Sequence, residues 1–578
     1  MKTNPILFEK LSSQLLTPKF VRSAAYISIA IAYLRIFFGA EVTDEPYHVA
    51  CAALTALGDK FYVNDSYFGQ TASLVYEPFI YIYNKLIGTT GVMLFSRHLY
   101  FLLSLVCGYC FYRLMRKMIS ADLALLISTI PIVFIHYTIP ILGYNTLGCF
   151  GFGIGSALTI EAELSQRRSL GLLGAWAFAV CVFVYPSFVL GAALIYFSLA
   201  ARHWLQQKKQ PILLIQAALV SGLLFCFFWG VTIFRFGFAD IPRSIETTQA
   251  YGSGNLSVLE DKITVIQSFI GNLTPPLWTL LPIALFLGFL LAFRLSWTWV
   301  IPLIAGLFFF MVPLPNITLI SPLFITFVFC LGCVSLLPNK QATNSENDKN
   351  RDELSWLMIL TCLILGVAAF FTSANHILAT PLATQFGLMF VIFRVAGRVS
   401  RASIVLPMLA VLLLLNFYSY SYAYREEAVQ DMTTLMETGP YAGIFTSEYK
   451  AQLFYQIERD VREVSKGAKT ILFYDNFPAG FLFSNLRPAT RSIFIHPVPY
   501  GNWDRHVYTE YYADPAKRPD VFLQFDKFPY AQSLVVTYRP GVPDDFFNYL
   551  PETGDYELVG ERTFYKVWRK KSLPPLSN

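Results

Sequence analysis

The chain has 578 residues, 55% of them hydrophobic and only 14% charged, with a mean hydropathy of +0.49. Soluble domains carry about 25% charged residues, so this balance excludes a wholly soluble protein and places much of the chain in lipid. The net charge of +6 does not indicate nucleic-acid binding, because the basic residues sit in short gaps between apolar runs.

A membrane span needs about 20 apolar residues. Thirteen runs approach that length, at roughly 24–40, 92–112, 122–139, 146–163, 170–185, 187–201, 212–234, 276–293, 297–313, 318–336, 355–372, 382–396 and 402–420. The first reads as a retained helix and not as a cleaved signal segment. Tyr185-Pro186 reads as a turn between two short runs, with a kink as the alternative. The N-terminus and alternate gaps hold most basic residues, among them Lys10, Arg22, Arg113, Arg116, Lys117, Arg202, Arg394 and Arg401. The opposite loops hold few, namely Lys60, Lys85, Arg243 and Lys262. Positive charge marks the cytoplasmic side, so the N-terminus is expected inside and the C-terminal region outside.

Two outer loops are long, 41–91 and 236–275. The first is acidic, with Glu41, Asp44, Glu45, Asp59, Asp65 and Glu77 against two lysines. The cytoplasmic stretch 338–353 is polar and reads as a linker between two halves of the membrane domain. Residues 421–578 read as a compact mixed α/β domain. It has an amphipathic helix from Tyr449 to Ser465 and strands at 470–474, 521–525 and 533–538. A helix at 544–550 follows, then a hairpin of 556–559 with 563–568. No cysteine follows Cys362. Cys107/Cys110 and Cys330/Cys333 have CxxC spacing but lie inside apolar runs, where packed thiols fit better than zinc or redox sites.

The chemistry concentrates where the first run ends. The chain reads Thr43-Asp44-Glu45-Pro46-Tyr47-His48, then Gly58-Asp59, then Tyr76-Glu77-Pro78, and Ser96-Arg97 opens the second span. This order resembles the glycosyltransferase C superfamily, which includes protein O-mannosyltransferases and the lipid A aminoarabinose transferase. The landmarks cover about residues 24–200, and the span layout extends the likeness over the chain. Such enzymes take a sugar from a polyprenyl-phosphate carrier on the outer leaflet and transfer it, with inversion, to a hydroxyl.

The resemblance implies that Asp44 is the general base, with Glu45 as a second catalytic candidate. The bland alternative is that both only cap the helix starting at Pro46. His48, one turn after Asp44, assists the site or is an interfacial polar residue. Arg97 and Arg243 are the candidates for the donor phosphate, and Arg97 alternatively snorkels to headgroups. Lys85 and His376 are weaker ones. Tyr144 and Asn145 line the donor site or cap the fourth span. Glu77 departs from the family pattern, where a basic residue often precedes the proline. It binds an acceptor, shares a divalent metal with Asp44, or caps a helix.

No cofactor is fixed by these residues, and a divalent metal is the alternative. The expected fold is a multi-pass α-helical membrane protein of about thirteen spans with a C-terminal extracytoplasmic α/β domain. The expected partners are a polyprenyl-phosphate-sugar donor, the membrane, and a glycan, glycolipid or protein acceptor, with no nucleic acid. The rivals are a lipid-linked glycan transporter or flippase, which would show inverted repeats and mid-membrane charge, and an inactive scaffold of the same fold. Gly-Phe-Gly-x-Gly at 151–155 lies inside a span and reads as helix packing, not a nucleotide loop.

Overall fold

The computed structural model describes residues 17–58, 71–207, 211–237, 346–372, 379–396, 401–421, 423–474, 477–490, 492–494, 506–525, 527–531, 534–537 and 545–576. Helix α1 (Pro18–Arg35) starts where the Thr17 hydroxyl accepts from Phe20 N and Pro18 takes the first position. It is followed by α2 (Asp44–Ala56), α3 (Thr71–Leu86), α4 (Val92–Met115) and α5 (Ala121–Ser128). Next come α6 (Tyr144–Ser165), α7 (Arg168–Val184), α8 (Phe188–Gln207) and α9 (Ile212–Phe236). Further along are α10 (Glu346–Thr372), α11 (Pro381–Val395) and α12 (Ala402–Ser421).

Among the described residues, five helices are long and apolar enough to cross a membrane: α4, α6, α8, α9 and α10. Shorter apolar helices accompany them. The three runs expected between 276 and 336, and all of the expected outer loop 236–275 beyond Gly237, lie outside the described residues.

Three expectations change. The run at 24–40 is helical only to Arg35, and residues 36–43 leave the helix. The run at 122–139 breaks after one short helix and a single turn, Ile130–Val133, into irregular backbone. Part of the expected linker is helical, because α10 begins at Glu346. Ion pairs of Glu353 with Arg202 and of Asp352 with Arg394 hold that extension against neighbouring helices.

Tyr185-Pro186 is a break between two helices. Val184 ends α7, Phe188 begins α8, and α8 returns so that His203 Nδ1 lies 2.7 Å from Glu163 at the far end of α6. The glycines of α6 allow close packing. A Cβ at Gly155 would lie 2.7 Å from the Phe178 ring on α7, as small-residue packing in membranes requires.

Basic residues gather at one end of the bundle and are paired there. Arg113 and Lys117 each lie 2.9 Å from Glu161, Arg202 lies 2.9 Å from Glu353, and Arg401 pairs with Asp122. The opposite end carries Asp44, Arg97, Tyr144 and the C-terminal region.

That region holds α13 (Glu448–Val464), capped by Ser447, α14 (His506–Ala513) and α15 (Asp545–Glu552). Its strands are β1 (Thr434–Leu435), β2 (Phe445–Thr446), β3 (Thr470–Tyr474), β4 (Arg487–Pro488), β5 (Val521–Phe525), β6 (Lys527–Ala531), β7 (Leu534–Thr537), β8 (Tyr556–Glu561) and β9 (Tyr565–Lys570). A five-stranded sheet runs β4-β3-β5-β9-β8, parallel across its first three strands and antiparallel across the rest. The α13 helix, both strands of the 556–568 hairpin and the strands at 470–474 and 521–525 fall where the alternation of apolar residues predicts them.

Candidate functional site

The stretch 36–45 is held from two sides. Phe445 N donates to Phe37 O at 2.7 Å, and Gly39 N donates to Phe445 O at 2.8 Å. Ala40 N donates to Glu426 Oε1 at 2.7 Å, and that oxygen also lies 2.6 Å from the buried Lys450 Nζ. From the bundle side, Arg97 donates to Ile36 O at 2.7 Å, Phe38 O at 3.1 Å and Gly39 O at 2.5 Å.

The remaining Arg97 donors go to Glu45, Nε to Oε1 at 2.5 Å and Nη2 to Oε2 at 2.6 Å, with both side chains 1% exposed. A guanidinium has five N–H donors, and all five are used. Arg97 therefore has no donor left for a phosphate, and Glu45 has the contacts of a buried structural ion pair. Arg97 and Glu45 thus engage each other and the 36–39 carbonyls here, in place of the expected phosphate and catalytic contacts.

Glu41 supplies the helix start that Asp44 was a candidate to supply. Its carboxylate accepts from Thr43 N at 2.9 Å and Glu45 N at 2.8 Å, filling donors that the first turn of α2 leaves open. Burial first, and the neighbouring Asp44 charge second, push the Glu41 carboxyl up to about 7.

Asp44 is left with a different environment. Its carboxylate is 36% exposed, and Arg425 Nη1 lies 3.3 Å from Oδ2. The same Arg425 nitrogen donates to Thr43 Oγ1, and the Tyr424 hydroxyl bonds to the Asp44 carboxylate. Tyr424 N donates to Thr138 Oγ1 at 3.0 Å, so the break after α5 meets the segment after α12 at this point. Of four non-glycine residues with left-handed backbone among the described residues, three lie here: Tyr137 (φ 53°), Thr138 (φ 60°) and Arg425 (φ 53°). Each such residue costs about 1–3 kcal/mol, and such strain clusters at functional sites.

His48 follows Asp44 on the same face of α2. Burial pushes its imidazole down to about 4, so it is neutral at physiological pH. Its Nδ1 is buried with no hydrogen-bond partner. The ring packs edge-on to Tyr144 at 5.6 Å, and Tyr144 stacks on Tyr185 at 5.6 Å. The buried Tyr137 hydroxyl also has no partner, and its ring lies 6.2 Å from that of Tyr424. Asn145 is half-buried beside Tyr144. The Asp44 carboxylate thus lies among Arg425, Tyr424, Tyr137 and His48.

Glu77 is elsewhere engaged. Arg235 donates to both of its oxygens at 2.6 Å, from the last turn of α9. Both oxygens of Glu77 are thus engaged by a guanidinium. Among the described residues, no group of three or more His, Cys, Asp or Glu side chains is placed to hold a metal ion. Lys85 is exposed and lies 5.5 Å from the Tyr81 ring. Arg243 and His376 lie outside the described residues.

Arg425, Tyr424, Tyr137 and Arg235 are not among the site residues expected from the sequence. The rule that a boundary arginine marks a site applies to Arg235 as much as to Arg97. Nothing in the sequence near 137 or 425 signals their meeting, because it is made by tertiary structure alone.

No family model and no curated protein matches the sequence. Among solved structures, the chain is similar to the Archaeoglobus fulgidus oligosaccharyltransferase in complex with Zn and sulfate. That likeness has 11% identity and a TM-score of 0.46, over 86% of this chain and 67% of that one. It is also similar to ArnT from Cupriavidus metallidurans bound to undecaprenyl phosphate, at 12% identity and TM-score 0.45 over 96% and 99% of the two chains. A third likeness, at 9% identity and TM-score 0.46 over 87% and 69%, is to Archaeoglobus fulgidus AglB with an inhibitory peptide and a dolichol-phosphate. Likenesses at these identities and TM-scores assign no role to any residue here.

Proposed function

We propose that this chain is an integral membrane glycosyltransferase that moves a sugar from a polyprenyl-phosphate donor to a hydroxyl acceptor, with Asp44 as general base. One observation carries the reading. Of the three acids at the start of α2, Glu41 caps the helix and Glu45 is locked to Arg97, while Asp44 keeps a part-exposed carboxylate among strained residues and unpartnered polar groups.

The chemistry needs little more. The acceptor oxygen attacks the anomeric carbon as its proton passes to Asp44. The bond from that carbon to the phosphate oxygen breaks, and polyprenyl phosphate leaves with the electron pair. Attack opposite the leaving group inverts the anomeric centre. Tyr144 lines the sugar site, with the buried His48 and Tyr137 behind it. Arg425 orients the Asp44 carboxylate through its contact to Oδ2.

The paired basic residues lie at the opposite end of the bundle, so the positive-inside tendency puts Asp44 and the C-terminal region outside the cytoplasm. A cell-envelope glycan, a glycolipid and a protein are the acceptor classes this placement allows. The clasp of residues 36–45 between α4 and the C-terminal region favours an enzyme over a transporter, which needs two halves free to rock.

The test is Asp44→Asn in protein reconstituted with polyprenyl-phosphate-linked sugars. Removing a general base should lower transfer by about 10²–10⁴-fold with folding unchanged. Transfer at the wild-type rate overturns the assignment.

A further inference from the structure

Arg97 is spent on Glu45 and three carbonyls, so the donor phosphate needs another cation. Arg235 has the required features. Its guanidinium is 45% exposed, yet it is held rigidly by the bidentate contact to Glu77, which is 8% exposed. Two of its five N–H donors are used by Glu77, and its plane lies over the Phe236 ring at 4.9 Å. An arginine fixed in this way is pre-organised for a phosphate.

The helix beneath it is suited to a lipid. Only 11% of the α9 span is buried, less than in any of the other four long apolar helices. Phe227, Val231 and Phe234 are 61%, 47% and 93% exposed and lie along one side at helical spacing. Arg235 sits where this apolar track ends, two residues before Gly237 leaves the helix at φ 95°. Glu77 lies on α3, which packs directly on α2, the helix opened by Asp44. An apolar track, a fixed cation in its last turn and a neighbouring pair of helices that leads to Asp44 match an amphiphile with a long chain and a phosphate head.

We propose that Arg235, oriented by Glu77, binds the phosphate of the polyprenyl-phosphate donor, whose chain lies along Phe227, Val231 and Phe234. The inference rests on the glycosyltransferase reading and names its donor site. It predicts that the apolar chain and the phosphate are both needed, which separates it from capture of an ordinary phospholipid headgroup or a free phosphate.

The experiment is direct binding of undecaprenyl phosphate to the full chain in nanodiscs, without turnover. Wild type and Asp44→Asn should bind alike. The double variant Glu77→Gln with Arg235→Gln, which leaves no unpaired buried charge, should bind at least tenfold more weakly. Phe234→Ser, at a side chain exposed enough to leave folding unaffected, should weaken binding threefold or more. Excess phosphatidylglycerol or inorganic phosphate should not displace the probe. Equal binding by wild type and the double variant overturns the Arg235 site and leaves the glycosyltransferase reading standing. Unchanged binding by Phe234→Ser removes the chain path, and displacement by either competitor shows a generic phosphate site. If wild type itself does not bind the probe, the donor class in the glycosyltransferase reading fails first.

Discussion

Arg425, just beyond the last apolar helix, sets its Nη1 3.3 Å from Oδ2 of Asp44, on the helix that follows the first. The two residues are joined only because the C-terminal segment folds back over the turn at 36–45. Arg425 holds this place with a left-handed backbone, φ 53°.

That conformation makes Arg425→Gly informative. Glycine relieves about 1–2 kcal/mol of left-handed strain, and the lost ion pair is part-exposed and worth about 1 kcal/mol or less. The melting temperature should stay within a few degrees of wild type while sugar transfer falls tenfold or more. A large fall in melting temperature with transfer per folded molecule intact would show that Arg425 is structural only.

Arg97 and Glu45 should behave in the opposite way. Breaking a fully buried pair by removing one partner costs about 3–5 kcal/mol. Glu45→Ala and Arg97→Ala should each lower thermal stability in detergent by that order. Transfer per folded molecule should change far less than in Asp44→Asn. Wild-type stability in either variant would sink the structural assignment.

Glu41 and His48 predict a pH signature. Burial, then the Asp44 charge, raises the Glu41 carboxyl from 4.5 to about 7. The folded chain therefore holds that proton more firmly, and the Glu41 contribution to stability falls as pH rises from 4.5 to about 7. Burial lowers His48 from 6.5 to about 4. Its contribution is present above 6.5 and is lost as pH falls through about 4. The two slopes oppose each other in wild type. Glu41→Gln should leave a stability that rises with pH between 4 and 6.5, and His48→Gln one that falls between 4.5 and 7. Melting curves across pH 4–8 check this, and parallel profiles for all three proteins would be the contrary result.

Gly143 faces His48 closely. A Cβ at 143 would sit 2.7 Å from Nε2 of the imidazole. Gly143→Ala should destabilise the protein by about 1–3 kcal/mol through overpacking. Adding His48→Ala should recover much of that loss, so the double variant is more stable than the two single changes sum to. Strict additivity in the melting data would mean that the two residues do not press on each other.

The sequence by itself determined the membrane class, because apolar runs of spanning length have few alternatives in water. It also determined the alternation of charge between the two ends and most of the C-terminal elements, since both follow from local periodicity and composition. It marked the start of α2 as the candidate site through the density of acids near Asp44.

It did not determine which acid does what. Glu41, Asp44 and Glu45 are chemically near-equivalent in the chain, and only their partners separate them. Glu45 meets Arg97 on α4, Glu41 turns back on the open amides of its own helix, and Asp44 meets Arg425 from the far end of the membrane domain. The same holds for the cations. Arg97 and Arg235 are both boundary arginines in the sequence. Arg97 has all five donors taken inside the fold, whereas Arg235 keeps an exposed face at the end of an apolar helix. Hydrogen-bond capacity and burial are set by what the fold brings alongside a side chain, so these roles were decided by tertiary structure.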